Sequence, residues 1–419
     1  MEFIKFFLAN KRLISFGFLM TFFSSFGQTF LISLYVPAIM SEFNLNTFSF
    51  GMIYGTATVL SGITLVYAGK FIDEWNLRDY TLAAVFLLIT SCLLIVFSRS
   101  LIFVFIGLWG LRLSGPGLLT HISSTSISKL FNKTRGMALS LSILGYSVGE
   151  AFLPITVGLT IGLVGWRNSI LLNAAAIGII LIPFVYTALN RKFRNYYSQS
   201  TNTHDKAGFK RSRLFRNSRF YIIAFNTIML PSIATGLFFY HLILAEEKGW
   251  SVELIASSFM GFAAGKTVFS LLGGKLIDRF SALTIFPLYL IPFGAALCIA
   301  GILKNNFAAP VYLMLTGVSA GLHNTVNTAL LAEIYGTSNL GSVRSVFATV
   351  IVLSTALSPA LFGFLLNKGL SFTFINTGAA GLVFVAILVS SRLWFIGRPL
   401  KHGSYTGADT RTLGTEKLI

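Results

Sequence analysis

Twelve stretches of this chain are each about twenty or more apolar residues long, and mostly short polar connections separate them. A helix rises about 1.5 Å per residue, so about 20 residues cross the ~30 Å hydrocarbon core of a bilayer. The stretches are 13–39, 48–69, 80–97, 101–125, 136–163, 167–188, 219–244, 252–273, 281–302, 309–332, 343–366 and 372–396. Hydrophobic residues make up 54% of the chain and charged residues 11%, against about 25% charged in an ordinary soluble domain. Such a composition excludes a soluble enzyme, a disordered chain and a disulfide scaffold. Lys5, Lys11 and Arg12 ahead of an apolar run resemble the start of a signal peptide, but the run continues from Leu13 to about Met40. That is too long for a cleaved leader, so it reads as the first membrane helix. Cys92 and Cys298 lie inside apolar runs and read as small buried hydrophobes.

Twelve crossings put both termini on one side. Of the 32 Lys and Arg, 25 then fall on the side of the termini, five (Arg99, Arg167, Lys248, Lys304 and Lys368) on the other, and Arg112 and Lys266 within helices. This is the positive-inside bias, which predicts cytoplasmic termini. The net charge of +18 is therefore mostly a topology signal, and nucleic acid is not expected as a partner. The longest connection, 189–218, is basic and polar and reads as a cytoplasmic linker able to touch anionic headgroups. It divides the chain into an N-terminal six-helix unit, 1–188, and a C-terminal one, 219–396, followed by a polar cytoplasmic tail, 397–419.

A repeat supports that division. Gly69-Lys70-Phe71-Ile72-Asp73 ends the second segment, and Gly274-Lys275-Leu276-Ile277-Asp278-Arg279 ends the eighth, 205 residues later. The glycines permit close backbone approach, and the aspartates can accept hydrogen bonds from a neighbouring helix N-terminus. A solvated turn with a helix cap is the plainer reading of the same residues.

Twelve segments split by a basic linker, with this repeat in register, resemble the major facilitator superfamily and its G-x-x-x-D-[RK] loop motif. The resemblance implies an all-α membrane fold of two pseudo-symmetric six-helix bundles, transport by alternating access, and a cytoplasmic gate at Gly69, Asp73, Gly274, Asp278 and Arg279. The first copy carries Glu74 where a base is usual. The resemblance further implies that segments 1, 4, 7 and 10 line a central cavity. It implies no enzyme activity and no cofactor, and a monomer in the plasma membrane is expected.

Ionisable groups at membrane depth are costly and functional by default. Arg112, Glu150 and Lys266 are such groups. Arg112 lies about 16 Å below the far face and Glu150 about 21 Å above the terminal face, and a short loop makes segments 4 and 5 neighbours. An Arg112–Glu150 pair near the midplane is expected, either as a coupling device or as a static ion pair fixing helix register. Lys266 faces the cavity or snorkels toward the terminal face. Its context, Gly261-Phe262-Ala263-Ala264-Gly265-Lys266-Thr267, nearly spells a phosphate loop but has one residue too few between the glycines.

Arg112-Leu113-Ser114-Gly115-Pro116-Gly117 resembles the family's proton-coupling motif in helix 4. Gly145, Gly149, Gly158 and Gly162 with Pro154 resemble its antiporter motif, but Glu150 stands where a proline is usual. Phe26-Gly27-Gln28-Thr29-Phe30 resembles the monocarboxylate and oxalate/formate branch, whose eukaryotic members carry an arginine in helix 8 that this chain lacks. Candidate substrate contacts are Gln28, Arg112, Tyr240, Lys266, His323 and Asn327, with Glu150 and Arg112 as the coupling groups. Singly, the polar ones could equally be interhelical glue. His121 and His241 fall near segment ends and read as interfacial. No cluster has metal-ligand spacing.

Two buried cations against one carboxylate favour an anionic small-molecule substrate. The function expected is secondary transport of a carboxylate-like anion, with protons as coupling ion. A drug exporter on the same fold would prefer cationic, apolar cargo. A non-transporting sensor would be expected to carry an added signalling domain.

Overall fold

Asn46, Asn76, Asn217, Ser251 and Ser281 each stand just before a helix and accept a hydrogen bond from one of its first backbone N–H groups. These caps set where the apolar runs begin to coil. The computed structural model describes residues 2–131, 134–189, 212–336 and 340–396. The central part of the basic linker (190–211), the tail from 397 and the side chain of Asp73 lie outside the described residues.

The spans are α1 (Lys11–Gly27 continuing as Thr29–Glu42), α2 (Thr47–Ala68), α3 (Leu77–Val96) and α4 (Leu101–Leu130). A single run, Arg135–Ala188, supplies α5 (135–164) and α6 (166–188). The second half holds α7 (Ser218–Phe239, extended by His241–Lys248), α8 (Val252–Phe280), α9 (Ala282–Ile302), α10 (Ala308–Tyr335), α11 (Leu340–Asn367) and α12 (Phe372–Ile396).

Among the described residues, nine helices are long and apolar enough to cross a membrane, or ten if the bent pair that forms α1 is one span. One of the nine is the 53-residue stretch Gly136–Ala188. At about 1.5 Å per residue it would be ~80 Å long, more than two bilayer cores. Gly165, with φ of 81°, breaks it into two crossings. The remaining helix, α10, has 28 residues and carries His323, Asn324 and Asn327, which dilute its apolar character. The twelve expected spans are therefore present as two bundles, α1–α6 and α7–α12.

Two irregularities face each other inside the first bundle. Helix α1 bends by 46° where Gln28 adopts extended φ and ψ of −83° and 151°. Helix α4 widens into a π-helical turn at Leu113–Leu119, around Pro116. Proline removes an N–H from the helical ladder, so its surroundings must give. Gly27 and Gly115 meet backbone to backbone at this crossing, and a Cβ on Gly115 would lie 2.9 Å from Gly27 Cα.

The bundles touch along two seams. Gly51 and Gly55 of α2 pack on the backbone of Pro359 and Ala356 of α11, and a Cβ at Gly62 would meet Val352 at 3.4 Å. Gly158 of α5 lies opposite Ala256 of α8. Thr47 donates to Gly363 O at 2.8 Å, and the Tyr240 hydroxyl donates to Thr47 O. The Phe30 and Phe259 rings meet tilted with centroids 5.8 Å apart, and the Tyr54 and Phe239 rings likewise at 4.4 Å. Thr47 begins α2 and Gly363 lies near the end of α11, so these contacts close the side away from the termini.

Candidate functional site

Lys266 is the fifteenth of the 29 residues of α8, at its midpoint. Its ammonium donates to both oxygens of Glu150, on α5, at 2.8 Å each. This ion pair joins the two bundles, and Glu150 is only 2% exposed. The expected partner of Glu150 was Arg112, and the structure corrects that. Depth along a helix is legible from residue counting, but the face is not. Arg112 turns toward α1 and α2, whereas Glu150 turns toward α8.

Arg112 instead donates from Nη1 to Gly27 O at 3.0 Å, the carbonyl just before the break in α1. Its guanidinium stands 5.6 Å over the Tyr54 ring. Its Nε is buried with no hydrogen-bond partner. A guanidinium carries five donors, and here one acceptor among the described residues serves them. Gln28, half-buried, adjoins this point, and Thr29 shares a 2.7 Å hydrogen bond with the Tyr54 hydroxyl.

Tyr146 connects the two charged groups and was not singled out in the sequence. It lies one helical turn before Glu150 on α5, on the same face. The Lys266 ammonium sits 4.1 Å from the centre of its ring. Its ring meets Phe30 edge-on at 6.3 Å. The i,i+4 spacing from Glu150 was the signal that could have found it.

The remaining candidates occupy other places. Tyr240 belongs to the far-side seal already described. His323 and Asn327 share a face of α10 as expected, but they join a network inside the second bundle. His323 Nδ1 lies 3.2 Å from the Tyr289 hydroxyl and 3.0 Å from Asn327 Nδ2. Thr227 donates to Asn327 Oδ1 at 2.8 Å, and Tyr289 to Asn226 O at 3.2 Å. His241 is buried and bonded to Tyr312 rather than interfacial. His121 reaches Gly69 O at 3.2 Å.

At the repeated motif, Asp278 and Arg279 are exposed, and Asp278 makes no hydrogen bond or ion pair among the described residues. A Cβ at Gly274 would meet nothing within 4 Å. The N-terminus of α9 is capped instead by Glu333 of α10, whose oxygens accept from Ala282 N at 2.9 Å and Leu283 N at 3.2 Å. The phosphate-loop look of 261–267 also has its explanation. Gly265 packs on α10 at Met314 O, while Gly317 and Gly321 of α10 pack on Phe262 O and Lys266 O. Two small-xxx-small faces interlock there.

The family model described as Major Facilitator Superfamily matches residues 17–257 and, a second time, 229–414. An MFS transporter asaE of Aspergillus flavus is 25% identical over 297 residues, 68% of this chain and 64% of the relative's length. The chain thus spans just under two thirds of that relative. Human monocarboxylate transporter 11 is 21% identical over 397 residues, 90% of this chain and 80% of the relative. A bacterial homologue of the human lysosomal transporter Spinster, solved inward-facing and unoccupied, superposes with a TM-score of 0.67 at 13% identity, covering 92% of this chain and 96% of that one. The nucleoside transporter NupG gives a TM-score of 0.69 at 12% identity, covering 91% and 98%.

Proposed function

The chain belongs to the Major Facilitator Superfamily of membrane transporters, and within it we propose that this protein carries a small organic anion by alternating access, driven by protons. It is a multi-pass carrier, not an enzyme. The observation that carries the substrate class is the charge balance at mid-membrane. Lys266 is neutralised by Glu150, so Arg112 is left without a counter-charge among the described residues, with a buried, unpartnered Nε. A carboxylate meets a guanidinium with two parallel hydrogen bonds, and in a low-dielectric cavity that match is strong. The resemblance of 21% to a protein named monocarboxylate transporter 11 supports the same reading.

Arg112 is the anchor for the anion, with Gln28, Thr29 and Tyr54 beside it. Glu150 and Lys266 are the coupling pair, since they join the two bodies that must part. We read the far-side seal as the closed outer gate of one transport state, the positive-inside bias making the side of the termini cytoplasmic. On that orientation the segment 189–218 is the cytoplasmic linker between the units 1–188 and 219–396, and the protein resides in the plasma membrane. The pair Gly69/Asp73 and Gly274/Asp278/Arg279 would then close the cytoplasmic side in the opposite state.

The test is uptake of a labelled panel of organic anions and cations into proteoliposomes, with and without an inward proton gradient. Anion accumulation that rises with the gradient and is lost in Arg112→Met supports the reading. Transport of organic cations with no anion moved overturns it and favours an exporter of cationic cargo.

A further inference from the structure

We propose that Glu150, Tyr146 and Phe262 form a binding site for a primary alkylammonium ion, and that Lys266 occupies it from within as a tethered stand-in for such a cation. This deepens the anion-carrier reading above by giving it a device that refuses cations, but it stands on the geometry of the ion pair itself.

The Lys266 ammonium has the surroundings that recognise a free organic cation. Glu150 accepts from it with both carboxylate oxygens at 2.8 Å. Nζ also stands over the Tyr146 ring, 4.1 Å from its centre, and over the Phe262 ring at 5.6 Å. A cation within ~6 Å of a ring centroid is attracted by its electron-rich face, and aromatic cages bind ammonium ligands in this way. Tyr146 and Glu150 are i,i+4 on α5, and Phe262 and Lys266 are i,i+4 on α8. Each helix thus brings one ring a turn ahead of its charged group, on the same face.

The two rings are braced. Phe30 of α1 meets Tyr146 edge-on at 6.3 Å, Phe259 lies 5.8 Å from Phe30, and Phe262 lies 6.1 Å from Phe259. Ring contacts therefore run from one wall of the cage to the other. The cage also has a closed end and a more open one, since the Glu150 side chain is 3% exposed and that of Lys266 16%. The carboxylate lies at the bottom, and the lysine reaches it from the open side.

A lysine ammonium is a compact charge on a flexible four-carbon stem. A group on so short a tether has an effective concentration on the order of millimolar, and a free amine must exceed that to compete. While Lys266 is seated, a cationic cargo finds the cage filled and its counter-charge engaged. Arg112, whose contacts lie on α1 and α2, stays available to an anion. Charge selectivity is then set by a side chain occupying the site that a wrong cargo would need.

The test empties the cage and refills it. Lys266→Ala removes Cγ, Cδ, Cε and Nζ, and n-propylammonium carries the same three carbons and one nitrogen. Purified full-length protein in detergent is melted at neutral pH, where the amine is protonated, with millimolar n-propylammonium or n-propanol. Propylammonium should recover at least half of the melting temperature that Lys266→Ala loses, and should shift the native protein little. Propanol, which fills the space without the charge, should recover far less. Lys266→Ala with Glu150→Gln should not respond to the amine, and Tyr146→Leu added to Lys266→Ala should weaken its binding about threefold or more. Where Lys266→Ala yields no monodisperse peak on gel filtration, the amine is present from solubilisation onward and recovery of the peak is the readout. No rescue on either scale overturns the proposal. Equal rescue by propanol overturns it too, since only a hole would have been filled, and so does a native response as large as the variant's, since Lys266 would not be the occupant. None of these outcomes depends on whether the native protein carries anions, so the uptake assay above decides that reading separately.

Discussion

At mid-membrane Arg112, Glu150 and Lys266 lie with Tyr54 and Tyr146, and their arrangement shows what one residue can and cannot reveal alone. That Arg112, Glu150 and Lys266 are set apart was legible, because an ionisable side chain in hydrocarbon demands an explanation. Which of them pair was not, because pairing depends on how each helix is turned about its own axis against its neighbours, and residue counting gives depth but not that turn. Removing one partner of a buried pair leaves an unmatched charge and costs about 3–5 kcal/mol. Lys266→Met should therefore lower the melting temperature sharply, while Lys266→Met with Glu150→Gln should restore much of it. Melting in detergent followed by fluorescence-detected gel filtration measures this. Strictly additive losses in the double variant would show that the two groups do not interact.

Among whole helices, two kinds of contact hold each bundle together, and only one was readable beforehand. The glycines of α5 stood out in the sequence as a stripe and those of α8 only as a near phosphate loop, and the structure shows the packing partners of both. Gly145 packs on Phe18 O, Gly149 on Ser25, and the α8–α10 crossing interlocks at Gly265, Gly317 and Gly321. A Cβ at Gly317 would overlap the Phe262 backbone. Overpacking of this kind costs about 1–3 kcal/mol, so Gly317→Ala should melt earlier, whereas Gly162→Ala, where a Cβ meets nothing, should not.

The second kind is a clasp on the far side of each bundle. Arg167, at the start of α6, donates to Val96 O, to Ser98 O at 3.0 Å and to Glu42 at the end of α1. Lys248, at the end of α7, donates to Gly301 O and, at 3.1 Å, to Thr373 Oγ1, while Glu247 accepts from Phe372 N at 2.8 Å. In both halves a cation caps the free carbonyls at the end of the third helix and ties it to the ends of the first and last. In the sequence these residues were counted only as loop charges, since nothing local to them indicates a distant helix end. Unmaking such bonds leaves carbonyls unsatisfied at about 1–3 kcal/mol. Arg167→Ala should lower the melting temperature, and Arg167→Lys should recover only part of the loss, because an ammonium cannot reproduce the fork.

The whole molecule is two clasped bodies meeting at seams of a different character. Within each bundle, backbone carbonyls and buried side chains fix the helices. Between bundles, the contacts among the described residues are glycine faces, aromatic contacts, the Glu150–Lys266 ion pair and the hydrogen bonds of Thr47 with Gly363 O and Tyr240, a small polar set to part. The count of twelve spans and their division into halves was plain in the sequence, because hydrophobic length and the internal repeat are global properties. The closed side was not, because contacts between helices far apart in the chain leave no local mark in the sequence. If the far-side seal must open for transport, holding it shut must stop transport without unfolding anything. Phe48 and Phe364 face each other across the α2–α11 seam with ring centroids 5.8 Å apart, and both are exposed. Replacing both with cysteine and joining them with a short, reducible bis-thiosulfonate should abolish uptake in proteoliposomes, and reduction should restore it. The same reagent on either single variant should have little effect, because a label on one body leaves the other free. Undiminished uptake by the fully bridged protein would mean that these bundles do not part at this seam, and the alternating-access reading would fail with it.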